Sequence, residues 1–226
     1  MKNFFLLSFA ILVSFLPVSP VLAQQKDFQF WPAAGVSVDL PGKFRVVAEE
    51  EIRLKENCTQ IDRQINSLGV GYRINKYIKA SVYYRIEAKW ENPDFHIWRQ
   101  GLYGDLAFRY QKGQFEFDYR SRVQSSKVEF NEKQDRFFGH FTHRHKFGCT
   151  YNVAGMPVNL SAESELFYKT GGGYNFSEYR LWGGLAWKPG KTHEFGLKYG
   201  IVREVQVEDP LTAFVISLDY TFNIKL

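Results

Sequence analysis

Few residues in this chain have the types and spacing that catalysis or metal binding needs. His140, His143 and His145 read H-x-x-H-x-H. On an extended strand His143 and His145 share a face and His140 points the other way, so three ligands to one metal would require a β-bulge. No metal site and no cofactor are expected from this pattern. A lipid hydrolase needs a serine activated by a histidine, with an orienting acid, presented to lipid. Ser164 is the one mid-strand serine on a clearly apolar face and His143 is the candidate base, but no hydrolase-like motif surrounds either residue. The expectation is a protein without enzymatic activity. Lys169-Thr-Gly-Gly-Gly-Tyr174 is glycine-rich but lacks the Lys-Ser/Thr of a phosphate loop and a following helix, so it reads as a loop tip.

The larger constellation is ionic. Arg45, Glu49, Glu51 and Arg53 fall on one face of an alternating segment, Arg85, Glu87 and Lys89 on one face of another, and Arg120, Arg122, Glu163 and Glu165 on two more. Such residues either line a pore and select solutes, or satisfy one another as an ion-paired filling. The second is expected, because long side chains leave little room inside a small barrel. Both signs are mixed, which argues against strong ion selectivity.

These charges are positioned by a period-2 pattern that repeats along the chain. From Ile78 to Trp90 the even positions are Ile, Ala, Val, Tyr, Ile, Ala and Trp, while the odd positions are nearly all polar. Similar alternation runs through Ala34–Leu40, Leu68–Ile74, Leu102–Tyr110, Phe115–Tyr119, Val158–Leu166, Tyr179–Trp187, Phe195–Ile201 and Phe214–Ile224. No helix-period segment of useful length appears. Tight turns are expected near Pro41-Gly42, Asn75-Lys76, Lys112-Gly113, Gly155-Met156 and Pro189-Gly190. Longer polar loops are expected at residues 55–63, 91–96, 125–134, 169–175 and 203–211. Short turns on one side and long loops on the other are the organisation of an outer-membrane barrel.

A soluble sandwich or lipocalin also alternates, but packs its apolar face inside. Here the glycines Gly69, Gly71, Gly101, Gly184, Gly196 and Gly200 keep company with charges, which suits a crowded polar lumen. Aromatics make up 17% of the chain and gather at strand ends. Trp31, Tyr72, Trp90, Trp98, Tyr110, Trp187 and Phe222 are expected in girdles at headgroup level. The expected fold is all-β, a transmembrane antiparallel up-and-down β-barrel of 10–12 strands.

Lys2 and the apolar run Phe4–Val18 form a signal peptide, too short to span a bilayer, with Val21-Leu22-Ala23 as the cleavage site. Cleavage is expected between Ala23 and Gln24, which leaves one barrel domain at 24–226. A formal net charge of +5 with scattered bases is no nucleic-acid footprint. The expected location is the bacterial outer membrane. The partners are then bilayer lipid or lipopolysaccharide and the barrel-assembly machinery, and the barrel is expected as a monomer. Its role is either a narrow porin-like channel or a structural and interaction barrel. An outer-membrane lipid-modifying enzyme and a soluble periplasmic ligand-binding barrel are the alternatives.

The segments FWPAAGVSVDLPGKFRVVAEEEIRL and LGVGYRINKYIKASVYYRIE resemble the bacterial family catalogued as domain of unknown function 2490. The matching features are a Trp-led first strand, a second strand with Glu49, Glu50, Glu51 and Arg53, and a G-x-x-Y-R-x-N-K hairpin at Gly69, Tyr72, Arg73, Asn75 and Lys76. The resemblance implies a Gram-negative outer-membrane barrel and gives no catalytic residue.

Three points strain this reading. The pattern yields eleven strands where an even number is usual, so an extra strand at Gln25–Phe30 or a split strand is expected. Glu50 falls on the apolar face, so a bulge is expected there. Cys58 and Cys149 fall at opposite ends of the expected barrel, too far apart for a disulfide.

Overall fold

The computed structural model describes residues 25–92, 95–128, 141–170 and 174–226. The proposed leader, its cleavage site at Ala23 and Gln24, and His140 lie outside the described residues. Eleven strands form one closed barrel: β1 (Gln25–Asp39), β2 (Phe44–Lys55), β3 (Gln60–Arg73), β4 (Ile78–Asn92), β5 (Phe95–Lys112), β6 (Phe115–Val128), β7 (Phe141–Asn152), β8 (Val158–Thr170), β9 (Tyr174–Trp187), β10 (His193–Glu204) and β11 (Leu211–Lys225). The described helical content is one 3-10 turn at Pro41–Lys43.

Neighbours in the chain pair antiparallel, but the barrel closes by a parallel pairing of β1 with β11, from Gln25↔Leu211 to Asp39↔Lys225. This settles the strand count. With an odd number of up-and-down strands, the first and last run the same way, so the closing seam has to be parallel. No extra or split strand is needed, because Gln25–Phe30 is the opening of β1. The expected fully antiparallel barrel is corrected at this one seam.

The connections differ from expectation on one side. Residues 40–43, 74–77, 113–114, 153–157 and 188–192 make the short turns at one end, as expected. At the far end the segments 55–63, 91–96 and 169–175, read as long loops, are mostly absorbed into strands, while residues 129–134 of the segment 125–134 lie outside the described residues. The β2–β3 turn is only residues 56–59, bent by positive φ at Glu56, Asn57 and Cys58, and Asn92 pairs with Phe95. Thr170 pairs with Tyr174, and β10 and β11 are separated by residues 205–210. Polar composition marked these segments as loops, but the ladders run through them because alternation continues there.

The alternation sorts the side chains as the sequence implies, with oily residues outside and ionic ones inside. On β4, Val82 is 57% exposed and Tyr84 and Ile86 are exposed, while Arg85 and Glu87 point into the lumen and Glu87 is 6% exposed. Glu50 stays on the outer face, opposite Ala34 and Asn66, with no bulge beside it. The ladder shifts instead between Arg53 and Leu54, and Gln64 Nε2 donates to Glu50 at 2.6 Å.

The seam predicts a cross-link. With Cys58 and Cys149 replaced by serine, a Val36→Cys, Phe222→Cys pair is expected to oxidise to a disulfide, because these residues are register partners. The pair Val36→Cys, Phe214→Cys, eight residues or roughly 26 Å out of register, is expected not to. Non-reducing gel mobility reads the difference.

Candidate functional site: the charged lumen

The inner face is the part of the molecule where titratable groups converge. Ten of the charged residues expected to line it do so. Glu49, Glu51, Arg53, Arg85, Arg120, Arg122, Glu163 and Glu165 surround the middle of the lumen, Arg45 lies toward the short-turn end, and Glu87 toward the far end. They are brought together in small clusters in which one acid serves several bases. Glu165, 4% exposed, accepts from Arg120 Nη2 at 2.7 Å and from Arg144 Nη2 at 3.0 Å. Glu163 accepts from Lys146 at 3.1 Å and Lys198 at 3.2 Å. Glu87 lies among Arg63, Arg85 and Arg99, at 3.3 to 4.0 Å. Arg53 donates to Glu51, and Arg45 Nη2 to Asp39 at 2.8 Å.

Several members, Arg144, Lys146, Arg180 and Lys198 among them, were missed from sequence. Arg122 makes two bonds to Asp105, at 2.6 and 2.7 Å, and Arg144, Lys146, Arg180 and Lys198 complete the clusters. Their signal was parity: Arg122 and Arg144 are cross-strand partners on inward positions. Rings interleave with these charges. Tyr83 and Tyr103 stack with centroids 4.8 Å apart, and Arg122 lies over Tyr103 at 4.0 Å.

Trp31 is a correction. It was expected in an interfacial girdle, but the alternation that turns Gln29 and Ser37 inward turns Trp31 inward too. It is 7% exposed, donates from Nε1 to Gln29 Oε1 at 2.9 Å, and carries the Arg53 guanidinium over its ring at 3.9 Å. It packs with Val202, Ala213, Val215 and Trp182 as a dry cluster beside the seam. The unbroken apolar run Ala213–Ile216 was the sequence signal that the inward face of β11 is apolar there, at Ala213 and Val215.

The other girdle residues are outside. Tyr72 packs on Phe44, Tyr110 on Tyr77, Trp187 on Phe195 and Phe222 on His193, all at the short-turn end. Trp90 and Trp98 flank His96 at the far end.

The inward glycines have a packing reason. A Cβ on Gly69 would fall 2.0 Å from the Tyr83 ring, and one on Gly200 would fall 2.3 Å from Trp182. Each is the bare floor on which a partner strand's large inward side chain lies.

The hydrolase candidates do not converge. Ser164 is opposite Phe147 and His143 is opposite Val123 and Tyr168. It is His145 that faces a serine, Ser121, but its Nδ1 is engaged by the Tyr119 hydroxyl at 2.8 Å rather than by an orienting carboxylate. Among the described residues, no group of three or more His, Cys, Asp or Glu is placed to hold a metal ion. Cys58 and Cys149 are free thiols. Burial and the nearby Asp27 carboxylate push the Cys58 thiol above its ordinary pKa, away from a reactive thiolate.

The family described as "Protein of unknown function (DUF2490)" matches residues 28–205. No curated protein and no solved structure matches the chain.

Three stability outcomes follow from these contacts. Glu165→Gln strands two guanidinium groups, and loss of one partner of a buried ionic cluster costs about 3 kcal/mol or more. Glu194→Gln at the exposed Lys188 pair is expected to cost under about 1 kcal/mol. Gly200→Val, which overpacks Trp182, is expected to cost about 1–3 kcal/mol. Urea unfolding of the refolded barrel in detergent micelles measures all three.

Proposed function

The chain belongs to the DUF2490 family, and from that premise we propose that it is a bacterial outer-membrane β-barrel whose own side chains close its lumen. It acts as a structural or interaction barrel, and it carries no catalysis. The observation that carries this reading is the sorting of the two faces. A water-soluble barrel would be destabilised by an exterior with Leu68 and Val82 each 57% exposed, beside Val70, Phe108, Phe147, Leu181 and Leu197. Lipid tails accept such a surface. The ring pairs at the two barrel ends fit two interfacial girdles. Strands of 12 to 18 residues exceed the 9–11 or so needed to cross a bilayer at a tilt. In this setting bilayer lipid or lipopolysaccharide covers the exterior, barrel-assembly machinery inserts the chain, and the barrel works as a monomer.

One observation favours a narrow channel as a second reading. Three cavities of about 710, 410 and 230 Å³ follow one another along the lumen and share lining residues such as Arg120 and Arg144. Planar-bilayer recording separates the two. The closed barrel predicts no resolved conductance from the refolded wild type, and the channel predicts stable unitary steps. The location is read by recovery in the outer-membrane fraction with heat-modifiable gel mobility. Recovery in the soluble periplasmic fraction contradicts it.

A further inference from the structure

The lumen is not neutral along its length. In the middle each inward cluster holds its acids, whereas the cavity at the short-turn end is lined by nine lysines and arginines against Asp39 and Asp118. Four of the nine are committed: Arg45 to Asp39, Arg109 to Glu116, Arg120 to Glu165 and Lys146 to Glu163. Lys43, Arg73, Lys76, Lys79 and Lys225 make no ion pair within 4 Å among the described residues. Arg73 and Lys79 are direct cross-strand partners on inward positions, an arrangement of like charges that is unfavourable unless something neutralises it.

The site is also shaped. Gly71, the cross-strand partner of Arg45, is bare where the Lys79 side chain lies, since a Cβ there would fall 2.5 Å from Lys79 Cε. Arg120, toward the inner end of the cavity, has a buried Nε with no hydrogen-bond partner among the described residues. Turn residues from Leu40 to Lys43 and Asn75 to Tyr77 form the mouth, so the cavity opens to water at that end. Its volume, about 710 Å³, lies in the range of small-ligand sites.

We propose that this vestibule binds a small soluble polyanion carrying clustered phosphate groups, of the size of a nucleotide or sugar phosphate, with Arg73 and Lys79 as its principal contacts. Guanidinium and ammonium groups converging on a pocket match phosphate oxygens in charge and donor geometry. Arg73 and Lys79 stand on inward positions, away from the outer face where a lipid headgroup is tethered. The proposal needs only the barrel and not its location, so it stands or falls apart from the membrane reading.

The test is calorimetric titration of the full chain, refolded in uncharged detergent micelles, with inorganic tripolyphosphate. The expected result is one site per chain whose affinity falls as salt rises. Arg73→Gln and Lys79→Gln are each expected to weaken binding at least tenfold. Arg99→Gln, at the far end, is expected to leave it unchanged. Absence of binding to wild type, unchanged affinity in either vestibule variant, or an equal loss in Arg99→Gln overturns the proposal. Wild-type footprinting keeps it testable should a variant not fold: tripolyphosphate is expected to slow acetylation of Lys79 relative to Lys188. Equal rates, or protection of Lys79 only by phosphatidylglycerol vesicles, would overturn it.

Discussion

Charges that point into the middle of this barrel have to find their counter-charges there. The backbone is committed to the ladder, and the outer face is mostly apolar with Glu50 as an exception, so an inward ionic group cannot turn outward without a one-residue slip of a whole strand. The lumen meets this constraint by sharing. Glu165, Glu163 and Glu87 each hold two or three cations, so three carboxylates organise five arginines and two lysines. Charges of this kind are stable only as sets, because removing one member leaves the rest desolvated and unpaired. Stacked rings and bare glycines complete the filling. Tyr83 over Gly69 and Trp182 over Gly200 show that the glycines are spaces for neighbours rather than points of flexibility.

The odd strand count and the dry cluster belong together. A parallel seam brings the first and last strands side by side, and the inner side of that junction near the far end is apolar. Trp31, Val202, Ala213 and Val215 pack there where other sectors carry charge. Hydrophobic burial thus reinforces the one pairing that joins residues distant in sequence. The ionic excess sits at the other end, around Arg73 and Lys79.

Much of this was legible in the residues. The period-2 pattern located eleven strands, their faces and ten of the charged residues assigned to the lumen, because side-chain parity in a strand is set by geometry alone. What failed either lay outside parity or set it aside for residue type. Loop length was read from polarity, and residues 55–63 proved to be strand joined by a four-residue turn. Trp31 was placed by residue type, as an interfacial aromatic, when its own strand's alternation already put it inside. Arg144 and Arg180 drew no notice as single residues, since their role exists only once β7 and β9 are set around the same axis. The seam needs closure of the whole barrel, which no local segment specifies.

Lipid solvation of the outer face is the proposal on which the membrane location rests. Its most direct test is depth-resolved fluorescence quenching. Single cysteines placed in turn at positions 79 to 89 of β4, with Cys58 and Cys149 replaced by serine, would carry an environment-sensitive fluorophore in bilayers containing brominated lipid. Strong quenching at 80, 82, 84, 86 and 88, and weak quenching at the odd positions between them, is the predicted result. Uniformly weak quenching, or strong quenching at 85 and 87 in place of 84 and 86, would contradict the account.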